Sequence, residues 1–149
     1  MRTRIDTPLG AMIAEEEDGR LRALRFAREG ESAPQGESEL FRRLSAWLAA
    51  YFGGEAPAEE LPLDPAGTAF QRRVWLAACE IPYGETLSYG ELARRIGCGS
   101  ARAVGAALGK NPIWILIPCH RVIGADGALT GYAGGLDRKR ALLELEKKT

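Results

Sequence analysis

Apolar positions Met12, Ile13, Leu21, Leu24 and Phe26 fall on either side of Asp18-Gly19, a dipeptide that favours the tight turn of a β-hairpin. The first 26 residues therefore predict a β-meander. A polar stretch from Arg28 to Glu37, carrying Gly, Ser and Pro, predicts a loop. The period then changes. Leu40, Leu44, Trp47, Leu48 and Tyr51 recur at helical spacing, and Gly53-Gly54 ends that helix. Residues 55–67 are rich in proline and acid and read as a linker between two halves.

The second half is helical with sharp punctuation. Thr68-Ala69-Phe70-Gln71 carries a capping box, in which hydroxyl and amide side chains satisfy the free N–H groups of a helix start. That helix runs to about Cys79, and Ile81-Pro82-Tyr83-Gly84 breaks it. Ser88-Tyr89-Gly90-Glu91 forms a second box before a short helix with Leu92, Ala93 and Ile96 inside. Gly97-Cys98-Gly99 turns the chain, and Ser100 caps another helix from Ala101 to about Leu108. The outline is a helix-turn-helix. A last helix is predicted from Leu136 to Lys148, with Lys147 and Lys148 at the end where cations favour the helix dipole.

Length and composition narrow the classes. A chain of 149 residues has enough material for a real core, as one unit or two small ones. No apolar stretch reaches membrane-spanning length, and the start Met-Arg-Thr-Arg lacks a signal core. The expected location is cytoplasmic, or nuclear in a eukaryote. Three cysteines without a CxxC pair, and one histidine, exclude a zinc pattern and a disulfide framework, so no metal is expected. The net charge of zero conceals an asymmetry: residues 1–64 carry 8 Lys+Arg against 13 Asp+Glu, and residues 65–149 carry 12 against 7. A basic second half fits contact with a polyanion; chance clustering produces the same excess.

The chemistry concentrates at Ile117-Pro118-Cys119-His120-Arg121-Val122, where the only histidine adjoins a cysteine. A thiol attacks as thiolate, and an imidazole can take its proton. The apolar run Asn111-Pro112-Ile113-Trp114-Ile115-Leu116 predicts a buried strand end carrying the pair. Neighbours on a strand face opposite ways, so the two need a turn or a bridging water, and a third group to orient the ring. Glu146 lies one turn beyond Leu142 and Leu143 and could supply it, or could be a solvated residue near the chain end. Cys79 reads as core, and Cys98 is assigned no chemistry. The helix Ala101-Arg102-Ala103-Val104-Gly105 has one long polar side chain, too few for reading base edges. Its small residues fit close approach to DNA with Arg102 as a wedge, or simply close helix packing. Tyr89 is a pocket donor or a packed aromatic, and Gly131-Tyr132-Ala133-Gly134-Gly135 a close-approach loop or a turn.

Together, Gly67-Thr68-Ala69-Phe70-Gln71-Arg72-Arg73-Val74-Trp75, Ile81-Pro82-Tyr83-Gly84-Glu85-Thr86, Ser88 to Ala93, Ala101 to Gly105, Asn111-Pro112 through Pro118-Cys119-His120-Arg121-Val122-Ile123-Gly124, Gly131-Tyr132 and Gly134-Gly135-Leu136 resemble the O6-alkylguanine-DNA alkyltransferase family. The match runs in order over roughly the last 80 residues. The resemblance implies an α+β protein: an N-terminal β-meander and helix (ribonuclease-H-like) over 1–64, then a C-terminal helical domain with a winged-helix-like helix-turn-helix over 65–149. It implies irreversible, single-turnover transfer of methyl or alkyl from O6-alkylguanine, and O4-alkylthymine as well, in duplex DNA to Cys119. The implied state is a monomer without cofactor or membrane contact. His120 would deprotonate the thiol through a water, with Glu146 orienting the ring and Tyr89 donating to the leaving base. Arg102 would fill the gap left by a flipped nucleotide, with Ala101 and Ala103 against the minor groove. Asn111 would brace the turn to the active site. Backbone around Cys119, Val122 and Ala133 would hold the base, and Trp114 and Tyr132 would wall the pocket. Trp114 departs from the smaller residue common there and is expected to disfavour bulky adducts. The rival readings are a sensor that binds alkylated DNA without chemistry, and a Cys-His hydrolase.

Overall fold

In the computed structural model, which describes residues 1–147, three antiparallel strands open the chain: β1 (Arg2–Thr7), β2 (Gly10–Glu17) and β3 (Arg20–Phe26). Asp18 and Gly19 both take positive φ, 53° and 75°, as the tight hairpin turn between twisted strands requires. The sheet buries Met12, Ile13 and Ala14 in succession on β2 and Leu21, Leu24 and Phe26 on β3, with an irregularity at Glu15/Glu16. Helix α1 (Glu39–Phe52) follows the polar loop and buries Leu40, Leu44, Leu48 and Tyr51 in the same core.

The second half holds α2 (Ala69–Cys79), β4 (Leu87–Ser88), α3 (Tyr89–Arg95), α4 (Ala101–Leu108), a 3-10 turn at Cys119–Arg121, β5 (Val122–Ile123) and α5 (Leu136–Lys147). The architecture is the expected α+β. Ser38, Thr68, Ser88 and Ser100 cap α1 to α4 by accepting from a backbone N–H three residues on. Each such cap contributes about 1 kcal/mol. Trp75 ties α2 to α4 by donating from Nε1 to the Ala107 carbonyl at 2.8 Å. The parallel β4–β5 pair, Leu87 with Val122 and Ser88 with Ile123, has no counterpart in the sequence reading, since two-residue strands leave no periodicity to detect. Lys148, predicted at the end of α5, lies outside the described residues.

The linker is docked along β3, and two expectations elsewhere need correction. Leu21 N–H donates to Pro62 O at 2.9 Å, Asp64 N–H to Leu21 O at 2.9 Å, and Arg22 pairs with Asp64 at 2.7 Å. The segment joins the two halves as its composition implies, and adds a backbone bridge, Leu21 to Leu63, that composition does not announce. The run from Asn111 to Leu116 is no regular strand. It touches β3 through one bridge, Leu24 to Ile113, and then folds back on itself. Cys79, expected in the core, ends α2 at an exposed position. No helix among the described residues is long and apolar enough to cross a membrane.

Candidate active site

Two tight turns present Cys119. Leu116 N–H bonds to Trp114 O at 2.9 Å around Ile115, whose φ is +72°. This is the rare γ-turn, costly for a β-branched residue. Complete burial of Ile113, Ile115 and Ile117 against the core holds it. A second two-residue bond, Cys119 N–H to Ile117 O at 2.8 Å, closes around Pro118 at φ −81°, ψ 63°, the relaxed γ form. Asn111 staples the whole loop. Its Oδ1 accepts from Ile113 N–H at 2.9 Å, and its Nδ2 donates to Ile117 O at 2.9 Å and to Cys119 Sγ at 3.2 Å.

The 3-10 turn replaces the expected strand end and swings His120 into full burial against α5. There Nε2 meets Glu146 Oε2 at 2.6 Å. The same carboxylate takes a two-pronged contact from Arg121, Nε to Oε1 at 2.8 Å and Nη2 to Oε2 at 3.1 Å, and the Tyr51 hydroxyl at 2.5 Å. Burial works against the charge on Glu146. The bonds from His120, Arg121 and Tyr51 outweigh it and hold the carboxyl down at about 2. An ionised Glu146 can only accept, so the hydrogen of a neutral His120 ring sits on Nε2. Nδ1 is then a buried lone pair with no hydrogen-bond partner among the described residues, which is the form of a base. Burial lowers the His120 pKa, against the pull of Glu146, and so keeps the ring neutral.

Burial also pushes the Cys119 thiol up, with the Asn111 amide and the charge of Lys139 pulling the other way. The resting group is therefore a protonated thiol that needs a base. Lys139, absent from the sequence reading, is fully buried and donates to the carbonyls of Val122 and Thr130, each at 2.7 Å. Its signal was available: Lys139, Leu142, Leu143 and Glu146 share the i, i+3, i+4, i+7 stripe of α5, all buried. Arg121 and Tyr51 were also missed. Arg121 lies inside the quoted motif, whereas Tyr51 read only as a core aromatic.

The thiol lines a cavity of about 410 Å³ with Tyr89, Gly105, Trp114, Thr130, Tyr132 and Ala133. This volume suits one small, flat ligand. Tyr89 donates to Thr130 O at 3.1 Å, so Thr130 joins it to Lys139. Trp114 stands between Phe26 and Tyr132, with ring centroids 5.9 and 6.0 Å away, and donates from Nε1 to Asn111 O at 3.0 Å. Tyr132 can fold in because residue 134 is glycine; a Cβ there would come within 2.8 Å of the ring. A larger groove of about 1000 Å³, lined by Arg4, Arg25, Arg28 and Arg138, adjoins Trp114 and Ala133 but does not include Cys119. The cavity borders α4, where Ala101 and Arg102 are exposed and Ala103 half-buried. Val122 is buried, its carbonyl already engaged by Lys139. The structure thus gathers Cys119, His120, Glu146 and Asn111 into one connected cluster. Tyr89, Trp114, Tyr132 and Ala133 line the cavity above it, with Ala101, Arg102 and Ala103 on the adjoining helix.

Known proteins match both halves. Residues 69–148 match the family model described as 6-O-methylguanine DNA methyltransferase, DNA binding domain, and residues 1–65 its ribonuclease-like domain. A methylated-DNA–protein-cysteine methyltransferase of Mycolicibacterium paratuberculosis is 50% identical over 97% of this chain and 90% of its own length. One from Methanosarcina acetivorans is 47% identical over 95% and 94%. The Mycobacterium bovis relative is 65% identical over 101 residues, which span 67% of this chain and 61% of that protein. The crystal structure of Mycobacterium tuberculosis OGT in complex with DNA superposes with a TM-score of 0.89 at 50% identity, covering 99% of this chain and 92% of that one. The chain belongs to the 6-O-methylguanine DNA methyltransferase family.

Proposed function

We propose that this protein repairs duplex DNA by taking the alkyl group of O6-alkylguanine, chiefly methyl, onto Cys119, once per molecule. The observation that carries the reading is a buried thiol, bonded to Asn111 and next to a His120–Glu146 couple, at the wall of a base-sized cavity bordering α4. His120 Nδ1 takes the thiol proton through a bridging water. The sulfur attacks the methyl carbon in line, an S–C bond forms, and the O6–C bond breaks with its electron pair passing to the purine. Tyr89 supplies a proton to the departing base and is reprotonated through the site, so the thiol hydrogen balances the one guanine regains. A thioether has no carbonyl for water to attack, so the cysteine is not regenerated.

The lesion must leave the base stack to reach the thiol, which costs least where pairing is already weakened. Arg102, exposed on α4 between Ala101 and Ala103, fills the gap, and contact to phosphates makes binding salt-sensitive. Residues 1–64 and 65–149 act as two domains of one monomer, working in the cytoplasm where the DNA is. The backbone at Cys119, Val122 and Ala133 holds the extruded base.

Intact-protein mass after incubation with an O6-methylguanine duplex tests the reading. A stoichiometric gain of one methylene unit, with no further turnover, is expected; binding without a mass change would make the protein a sensor. Trp114→Ala should widen the cavity. Wild type is expected to react more slowly with a benzyl than with a methyl adduct, and the variant should close the gap by about tenfold, the order of one or two methylenes' worth of pocket fit. Competing adducts in one duplex pool, followed by mass, check this. Equal rates for both adducts in both proteins would remove Trp114 as the size filter.

A further inference from the structure

Oε2 of Glu146 is shared. His120 Nε2 reaches it at 2.6 Å and the phenol of Tyr51 at 2.5 Å, across 95 residues of chain. Tyr51 comes from α1, in the N-terminal half, and is 1% exposed. Its ring is held by Trp47, stacked at 5.5 Å and 9°, and by the edge of Tyr83 at 6.0 Å and 84°. The hydroxyl is therefore aimed rather than free to rotate away.

We propose that Tyr51 is a positioning residue of the alkyl-transfer site: its hydroxyl, delivered by the N-terminal half, competes with His120 for Glu146 Oε2 and so sets the basicity of the imidazole that takes the Cys119 proton. The inference rests on the function proposed above.

The argument is electrostatic. Each donor on a carboxylate oxygen draws charge from it and weakens its hold on the others. A bare Glu–His couple would favour imidazolium, whose Nδ1 carries a proton and cannot accept one. Sharing Oε2 with a phenol reduces that preference and keeps the ring neutral at working pH. The donor is dependable, because burial and then the adjacent carboxylate push the Tyr51 pKa far above its ordinary value. Around the couple, Arg121 from the 3-10 turn and Lys139 from α5 both disfavour imidazolium. Tyr83 packs on Tyr51 and under Arg121, Tyr132 lies close enough to feel the Glu146 charge, and the Gly84 N–H reaches Glu146 Oε1 at 3.4 Å. None of these is altered by removing one oxygen from Tyr51.

The chain has a single histidine, so its ring signal in NMR reports His120 without ambiguity. Tyr51→Phe in the DNA-free protein is expected to raise the His120 titration midpoint by about one pH unit, the order expected when a donor to its partner carboxylate is lost. The acid limb of single-turnover methyl transfer, followed between about pH 5 and pH 8, should move by the same amount. Affinity for unmodified duplex should stay the same. Trp47→Phe keeps an aromatic ring stacked on Tyr51 and keeps the hydroxyl, and should leave both midpoints in place. An unmoved His120 midpoint in Tyr51→Phe overturns the proposal, as does an equal shift in Trp47→Phe. If the NMR shift appears while wild type accepts no methyl at any pH, the coupling stands and the repair reading fails.

Discussion

Cys119→Ser protein, incubated with a duplex containing O6-methylguanine, is expected to gain no mass and yet to retain the lesion duplex. A serine hydroxyl is a far weaker acid than a thiol, and burial that already raises the thiol pKa would penalise an alkoxide more. His120, kept weakly basic by its surroundings, could not remove that proton. The fold should tolerate the change, because the Asn111 amide that donates to Sγ at 3.2 Å can donate equally to a hydroxyl. The α4 residues proposed to meet DNA are untouched, so gel-shift affinity should be preserved while mass spectrometry reads zero transfer. Methylation of the serine variant would place the acceptor elsewhere, with Cys79 and Cys98 the remaining thiols.

Glu146→Ala is expected to damage stability and chemistry together. Glu146 is 2% exposed and accepts from Tyr51, His120 and Arg121. Deleting it leaves the half-buried Arg121 guanidinium without its counter-ion and the buried Tyr51 and His120 donors without their acceptor, a loss of about 1–3 kcal/mol for each buried group left unsatisfied. Denaturant unfolding should show this as an earlier midpoint. The pH dependence has a definite sign. The folded carboxyl sits at about 2 against an ordinary 4.5, so its stabilisation is full above 4.5 and fades as pH falls towards 2. Wild type should lose stability across that window, and the alanine variant should lack this component. Methyl transfer should fall by about 100-fold or more, since nothing then keeps the His120 hydrogen on Nε2 and the lone pair on Nδ1. A variant that unfolds at the wild-type midpoint would mean that the cluster contributes no net stability.

Most of the scaffold could be read from local chemistry. Asp18-Gly19, Thr68 with Gln71, Ser88 with Glu91, and Ser100 act within four residues of where they sit, and the structure uses each as its sequence implies. The Asn111–Leu116 run defeated the same approach. Six consecutive mostly apolar residues have no period to separate a strand from a folded loop, and the positive φ at Ile115 has no glycine to announce it. The cluster around Glu146 was legible only in part. His120 was singled out beside Cys119 and Glu146 by its place on the last helix, with a solvated end residue left open for Glu146, and the structure sets the two 2.6 Å apart. Tyr51 and Arg121 become partners only when α1, the 3-10 turn and α5 meet, and no spacing along one element encodes that. Lys139 is intermediate: its place on the apolar stripe of an otherwise amphipathic helix was visible in the spacing, yet the reading passed over it.

The docked linker has a consequence for solubility. β3 lies at one margin of the three-stranded sheet, and a bare margin offers unpaired N–H and C=O groups to any other strand. Here Leu21 is taken up by Pro62 and Asp64, and Leu24 by Pro112 and Trp114, so backbone from the linker and from the loop before Cys119 covers the outer rim. The loop that leads into Cys119 thus also shields the sheet against self-association. Cutting the chain after residue 64 would strip the Leu24 half of that cover, leaving a fragment prone to pair edge to edge with copies of itself.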